Sequence, residues 1–139
     1  MSHILIIGGA SSDILHLNDK TVPSAGGAGM YTAMAAHRCG AQVSLFSPCP
    51  NPVPDLLQSV AKRLYEWLGP VVSPDQLPHF EISYQGGKTE YLKALFGAES
   101  ILTPDMLPND LSVYDCVHVI PLGDAQKQLI FIQACRQRG

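Results

Sequence analysis

The sequence predicts an α/β fold of three layers, a mostly parallel sheet with helices on both faces and one β-hairpin. Three observations predict it. Short, unbroken apolar runs such as Ile4-Leu5-Ile6-Ile7 read as strands buried on both sides, the mark of a parallel sheet. Segments with helical periodicity stand between those runs. Glycine-rich junctions join the two kinds of element.

The elements follow in order. Ile4 to Ile7 forms the first strand and is stopped by Gly8-Gly9. Ala10-Ser11-Ser12-Asp13 reads as a polar turn, and Leu15 to Val22 as a small hairpin or edge strand. Ser24 to Gly29 is a glycine-rich loop opening an alanine-rich helix, Met30 to Arg38, which Gly40 caps. Gln42 to Phe46 is the second buried strand, and Ser47 to Pro54 a proline-rich loop. Leu56, Leu57, Val60, Leu64 and Trp67 recur at helical spacing, which predicts a helix from Asp55 to Leu68 that Gly69-Pro70 ends. Phe80 to Tyr84 and Thr89 to Leu95 alternate as strands around the turn Gln85-Gly86-Gly87-Lys88. Thr103-Pro104 reads as the start of a short helix. Cys116 to Ile120 is another buried strand, and Asp124 to Arg138 an amphipathic helix with Leu129, Ile132, Ala134 and Cys135 on its apolar stripe.

Composition narrows the function. The 139 residues suffice for one domain or part of one, and nine basic against twelve acidic residues argue against nucleic acid or an anionic membrane as main partner. Charged residues make up only 15% of the chain, against about 25% in an average soluble domain. This predicts a chain that buries surface against another chain or segment. No apolar run is long enough for a signal sequence or membrane span. Cys39, Cys49, Cys116 and Cys135 lie far apart, with no CxxC pair, and read as free thiols of a cytoplasmic protein. His3, His16, His37, His79 and His118 show no ligand spacing, so no metal site is expected.

The candidate site is the junction of the first strand and first helix. Gly26 and Gly27, before the helix, allow a ligand to approach the backbone closely, or simply make a tight turn. Asp13 lies just past the first strand, where open α/β sheets bind ligands. It either accepts hydrogen bonds from vicinal hydroxyls or satisfies its own backbone in an Asx-turn. Gly8-Gly9-Ala10 fails the dinucleotide pattern at its later glycines, and no Walker loop is present. His118, inside an apolar strand, reads as a core residue. Asp115 and Asp124 read as a turn acid and a helix cap, and Pro121-Leu122-Gly123 as a cleft wall. The last helix, Asp124 to Arg138, feeds no further strand. Either the domain ends on a helix, or the chain is the amino-terminal part of a larger fold.

Two blocks carry a resemblance. Ile4 to Asp13 resembles the opening strand and substrate-binding acid of the ribokinase-like (PfkB) family of sugar and nucleoside kinases. Gly26-Gly27-Ala28-Gly29-Met30, with the alanine-rich helix and Cys39-Gly40-Ala41 leading into a strand, resembles that family's first signature. Thr103 to Pro121 is similar to its pattern of short helix, acid and strand. The resemblance implies a ribokinase-like but incomplete fold: residues 1–139 are the acceptor-binding, amino-terminal part, without the carboxyl-terminal part that carries the family's Gly-Ala-Gly-Asp anion hole, catalytic base and ATP site. It implies phosphoryl transfer from ATP, with Mg2+, to a hydroxyl-bearing small molecule. The binding residues it implies here are Asp13, Gly26, Gly27 and Tyr31, with no catalytic residue in this chain and no activity of the chain alone. Ala28 and Tyr31 stand where many members have lysine and asparagine, which marks an atypical branch and leaves the substrate open. The short stretch from Asp13 to Gly26 implies a small β-lid. A homodimer, or packing through the exposed sheet edge at Cys116 to Ile120, is the expected assembly. A non-catalytic ligand-binding or interaction domain of the same fold is the alternative.

Overall fold

The computed structural model describes residues 1–139. Its main sheet is built from β1 (His3–Ile7), β4 (Gln42–Phe46), β6 (Glu66–Leu68) and β10 (Cys116–Val119), in the order β10-β1-β4-β6 and parallel throughout. Ile4 pairs with Val43 on one side and Cys116 on the other. Successive side chains of β1 alternate between two cores, as strand geometry requires. Ile6, with Val43 and Leu45, packs against Met30 and Ala33 of α1 (Ala28–Arg38) and Val60 of α2 (Gln58–Arg63). Leu5 and Ile7, with Phe46, pack against Phe131 and Cys135 of α3 (Ala125–Gln137). Helices therefore cover both faces, as expected.

A second four-stranded sheet stands beside the first. It contains β2 (Ser11–Leu17), β3 (Lys20–Gly26), β8 (His79–Gln85) and β9 (Lys88–Leu95), in the order β3-β2-β8-β9. Two antiparallel hairpins, β2–β3 and β8–β9, are joined by parallel pairing of β2 with β8. Gly86 and Gly87, at φ 58° and 72°, form the tight turn of the second hairpin, a conformation that side chains with a Cβ resist. A minor parallel pair, β5 (Cys49–Pro50) with β7 (Val71–Val72), lies in the proline-rich region.

Several expectations are corrected. Ser11 to Asp13 is not a turn but the start of β2, paired with Ser24 to Gly26. The sheet formed by the Asp13–Gly26 stretch is larger than that short stretch implied, because β8 and β9 complete it. The helix expected over Asp55 to Leu68 is a 3₁₀ turn, Asp55–Leu57, followed by the six residues of α2. Leu64 turns extended, the Tyr65 N–H bonds the Val43 carbonyl at 2.8 Å, and Trp67 pairs with Leu45. Completing the sheet outweighs continuing the helix. At Thr103 only a 3₁₀ turn forms, Pro104–Met106. Strand β10 is the sheet edge expected at Cys116 to Ile120, and not a strand buried on both faces; His118 on it is exposed rather than a core residue. On α3 the buried pair is Phe131 and Cys135, while Leu129 and Ile132 are 45% and 38% exposed. Asp124 caps α3 as expected, accepting from the Lys127 N–H at 2.7 Å. Asp115 accepts from the His3 N–H at 2.8 Å. No helix is long and apolar enough to cross a membrane.

Candidate functional site

The carboxyl end of β1 is a seam of backbone packed on backbone. Gly8 and Gly9 leave β1, and Gly27 and Gly29 enter α1 directly against them. A Cβ on Gly27 would meet the Gly9 carbonyl, and one on Gly29 the backbone of Gly8. The Met30 N–H donates to the Gly9 carbonyl at 3.1 Å and fixes the helix start there. Gly27 also takes φ 96°, which disfavours any residue with a side chain.

Asp13 points into this seam from β2. It is only 7% exposed. Its Oδ2 accepts from the Ser11 hydroxyl at 3.0 Å, and its Oδ1 from the Phe80 N–H at 3.1 Å. The second bond comes from a distant strand, so Asp13 is not an Asx-turn residue. Gly26 abuts the same carboxylate, and a side chain there would collide with it. Burial pushes the Asp13 carboxyl above its usual range, and the Ser11 hydroxyl, the Phe80 N–H and nearby His79 pull it partway back. His79 Nδ1 donates to the Ser12 carbonyl at 2.6 Å; because a carbonyl only accepts, Nδ1 carries the proton.

A cleft of about 400 Å³ opens over Asp13, between the second sheet and the start of α1. Asp13, Gly27, Ala28 and Tyr31 line one side, and Leu15, Phe80, Ile82, Tyr84 and Tyr91 the other. Tyr31 is 61% exposed and its hydroxyl donates to the Ala25 carbonyl at 3.3 Å. Of the four residues singled out from sequence, Asp13, Gly27 and Tyr31 face the cleft, while Gly26 lies behind Asp13. The arrangement joins a hydrogen-bonding carboxylate to apolar and aromatic walls, which suits a compact polyhydroxylated ligand.

Sequence reasoning missed Ser11, Phe80 and Glu99. Glu99 is 7% exposed and lies against Gly9, across the glycine seam from Asp13. Its only sequence signal is a lone acid in the otherwise uncharged stretch Leu95-Phe96-Gly97-Ala98-Glu99-Ser100-Ile101-Leu102. Of Pro121-Leu122-Gly123, read as a cleft wall, Leu122 and Gly123 line a neighbouring cleft with Phe96, Ser100, Asp124 and Lys127, and Pro121 does not.

No three His, Cys, Asp or Glu side chains are gathered into a metal site of this chain's own; Mg2+ held by one or two carboxylates and phosphate oxygens asks for no such cluster.

No sequence-family model matches the chain, and no curated protein sequence does. Solved structures do. A ribokinase from Cryptococcus neoformans var. grubii serotype A, in complex with ADP, superposes with a TM-score of 0.79 at 18% identity, over 98% of this chain and 46% of its own. A ribokinase from Giardia lamblia gives 0.75 at 17%, over 99% and 47%. A carbohydrate kinase from Agrobacterium tumefaciens gives 0.66 at 17%, over 98% and 52%. The chain has the ribokinase-like fold, and it spans about half the length of these structures.

Proposed function

We propose that residues 1–139 form the acceptor-binding part of an ATP-dependent kinase that phosphorylates a hydroxyl of a sugar, polyol or nucleoside. The observation that carries this reading is Asp13: a buried carboxylate, fixed by Ser11 and Phe80, at the floor of a cleft on a ribokinase-like fold. Each carboxylate oxygen accepts one protein hydrogen bond and keeps a lone pair for the ligand, so adjacent hydroxyls can bind side by side. Gly26 and Gly27 make the room, and Tyr31 supplies a wall at the mouth. ATP supplies the phosphoryl group in such a reaction. No residue of this chain serves as base or anion hole, so the chain alone binds without turning over. A non-catalytic ligand-binding domain uses the same geometry; it departs from the kinase reading only in never supporting ATP turnover.

In the same proposal, the open side of β10 is covered by a second copy or a further kinase segment in a cytoplasmic assembly. β10 pairs with β1 alone, and Leu129, Ile130 and Ile132 beside it are exposed.

The test is calorimetric titration of the chain with pentoses, hexoses, inositols and nucleosides, alongside an ATP-consumption assay. Asp13→Ala is expected to weaken binding by about 1.5–3 kcal/mol, the range for a hydrogen bond to a charged group. Unchanged affinity in that variant overturns the role of Asp13. Reproducible ATP turnover by the pure chain overturns its assignment as the acceptor-binding part alone.

A further inference from the structure

Glu99 is a buried acid for which the site described so far has no use. Its carboxylate lies on Gly9, two residues past the end of β1, and any side chain at Gly9 would occupy the same space. It accepts no hydrogen bond from the protein, and neither oxygen is sealed from solvent. Burial penalises this carboxylate, and the nearby Lys127 ammonium offsets part of that by its charge. No hydrogen bond ties down its oxygens, so their acceptor capacity stays open while the residue's backbone is held. Lys127 Nζ donates to the carbonyls of Glu99 and Ser100, both at 2.8 Å. Gly97, at φ 54°, packs directly on the backbone of Gln76 and Leu77 and anchors the turn from the other side.

The position relative to Asp13 is specific. Asp13 abuts Gly26, Gly27 abuts Gly9, and Glu99 abuts Gly9 as well. Two carboxylates thus flank one glycine seam at the carboxyl end of the parallel sheet, where open α/β sheets take their ligands. Phe80, whose N–H holds Asp13, stacks edge-to-face on Phe96 at 5.6 Å, and Phe96 opens the turn that carries Glu99. The two acids therefore share one supporting framework.

Resting on the acceptor-binding reading above, we infer that Glu99 is a second, specificity-determining hydroxyl-binding residue, which takes hydroxyls of the same polyol that lie beyond the reach of Asp13. An acceptor bound by both acids is a chain or ring with hydroxyls at both ends, and a molecule hydroxylated at one end only engages Asp13 alone. Lys127 acts as a positioning residue through the carbonyls it binds.

The experiment compares the unaltered chain, Glu99→Gln and Asp13→Asn by titration with inositols, hexoses, nucleosides and glycerol, and by ligand-free melting. Glutamine keeps the volume of Glu99 and removes the charge. Glu99→Gln is expected to weaken the tightest hexose or inositol at least tenfold, to change glycerol binding less, and to melt no lower than the unaltered protein. Asp13→Asn is expected to weaken every ligand. If Glu99→Gln binds all of them as the unaltered chain does while Asp13→Asn is weakened, this inference is wrong and the Asp13 reading stands. A ligand-free Glu99→Gln protein that melts well below the unaltered one makes the carboxylate structural, and also overturns it. If the unaltered chain binds none of these ligands, the acceptor-binding reading and this inference fall together.

Discussion

Replacing Gly26 by alanine tests the geometry around Asp13 directly. The new methyl would fall on Asp13 Oδ2 and 2.9 Å from the Ser11 hydroxyl oxygen. Gly26 is not among the positive-φ glycines, so the cost comes from this collision and not from backbone strain. To make room the carboxylate must swing away, giving up the bonds from Ser11 and the Phe80 N–H. Each hydrogen bond to a charged group contributes about 1.5–3 kcal/mol, and water replaces part of the loss, so the expected cost is about 3 kcal/mol. In a domain of this size that lowers the melting temperature by roughly 10 °C. Urea unfolding followed by Trp67, the single tryptophan, measures it as a lower midpoint at unchanged slope. The decisive arm is the double variant. With Asp13→Ala already present the carboxylate is gone, and Gly26→Ala should then cost less than about 0.5 kcal/mol. Equal costs in the two backgrounds would refute the contact between Gly26 and Asp13 as the cause.

Two further outcomes follow from the packing and the buried acids. Phe131→Ala should destabilise the chain by about 3–5 kcal/mol, because Phe131 is fully buried against Phe46 at 6.1 Å between ring centres, whereas Leu129→Ala on the exposed side should stay within about 0.5 kcal/mol; equal losses in urea unfolding would contradict the orientation of α3. Burial holds Asp13 and Glu99 above their ordinary values of 3.8 and 4.5, so above those values the folded chain keeps protons that the unfolded chain has released, and their contribution to stability is lost as pH rises through the raised values. The Asp13→Asn, Glu99→Gln double variant should therefore gain stability relative to the unaltered chain as pH rises above those ordinary values, and a difference that does not grow with pH would show that neither acid is perturbed.

The framework was legible where local pattern and tertiary need coincide. β1 and β4 are continuous apolar runs, and Gly86-Gly87 marks its hairpin on sight. Legibility failed where distant pairing decides. The strand character of Ser11 to Asp13 depends on Ser24 to Gly26, and the size of the second sheet on Ile14 meeting Glu81. Trp67 fits a helical stripe equally well until β4 offers it a sheet edge. His118 sits among apolar residues in sequence, but on a strand with one neighbour it faces out. In the site, Asp13 was found from its place after β1. Glu99 was not, because only the approach of its turn to Gly9 gives it a role.

The pairing of β1 also sets a schedule for folding during synthesis. One neighbour of this central strand, β4, follows within 40 residues, with Ile4 meeting Val43, but the other, β10, begins 70 residues after β4 ends. At ribosomal speeds of about 5–20 residues per second, that interval lasts roughly 4–14 s. Through it the apolar edge of β1 is made but unpaired, and the cluster that Leu5 and Ile7 share with Phe131 lacks its helix. A nascent chain paused in this window presents an edge to any other strand nearby, which makes it a target for chaperones that hold extended apolar segments.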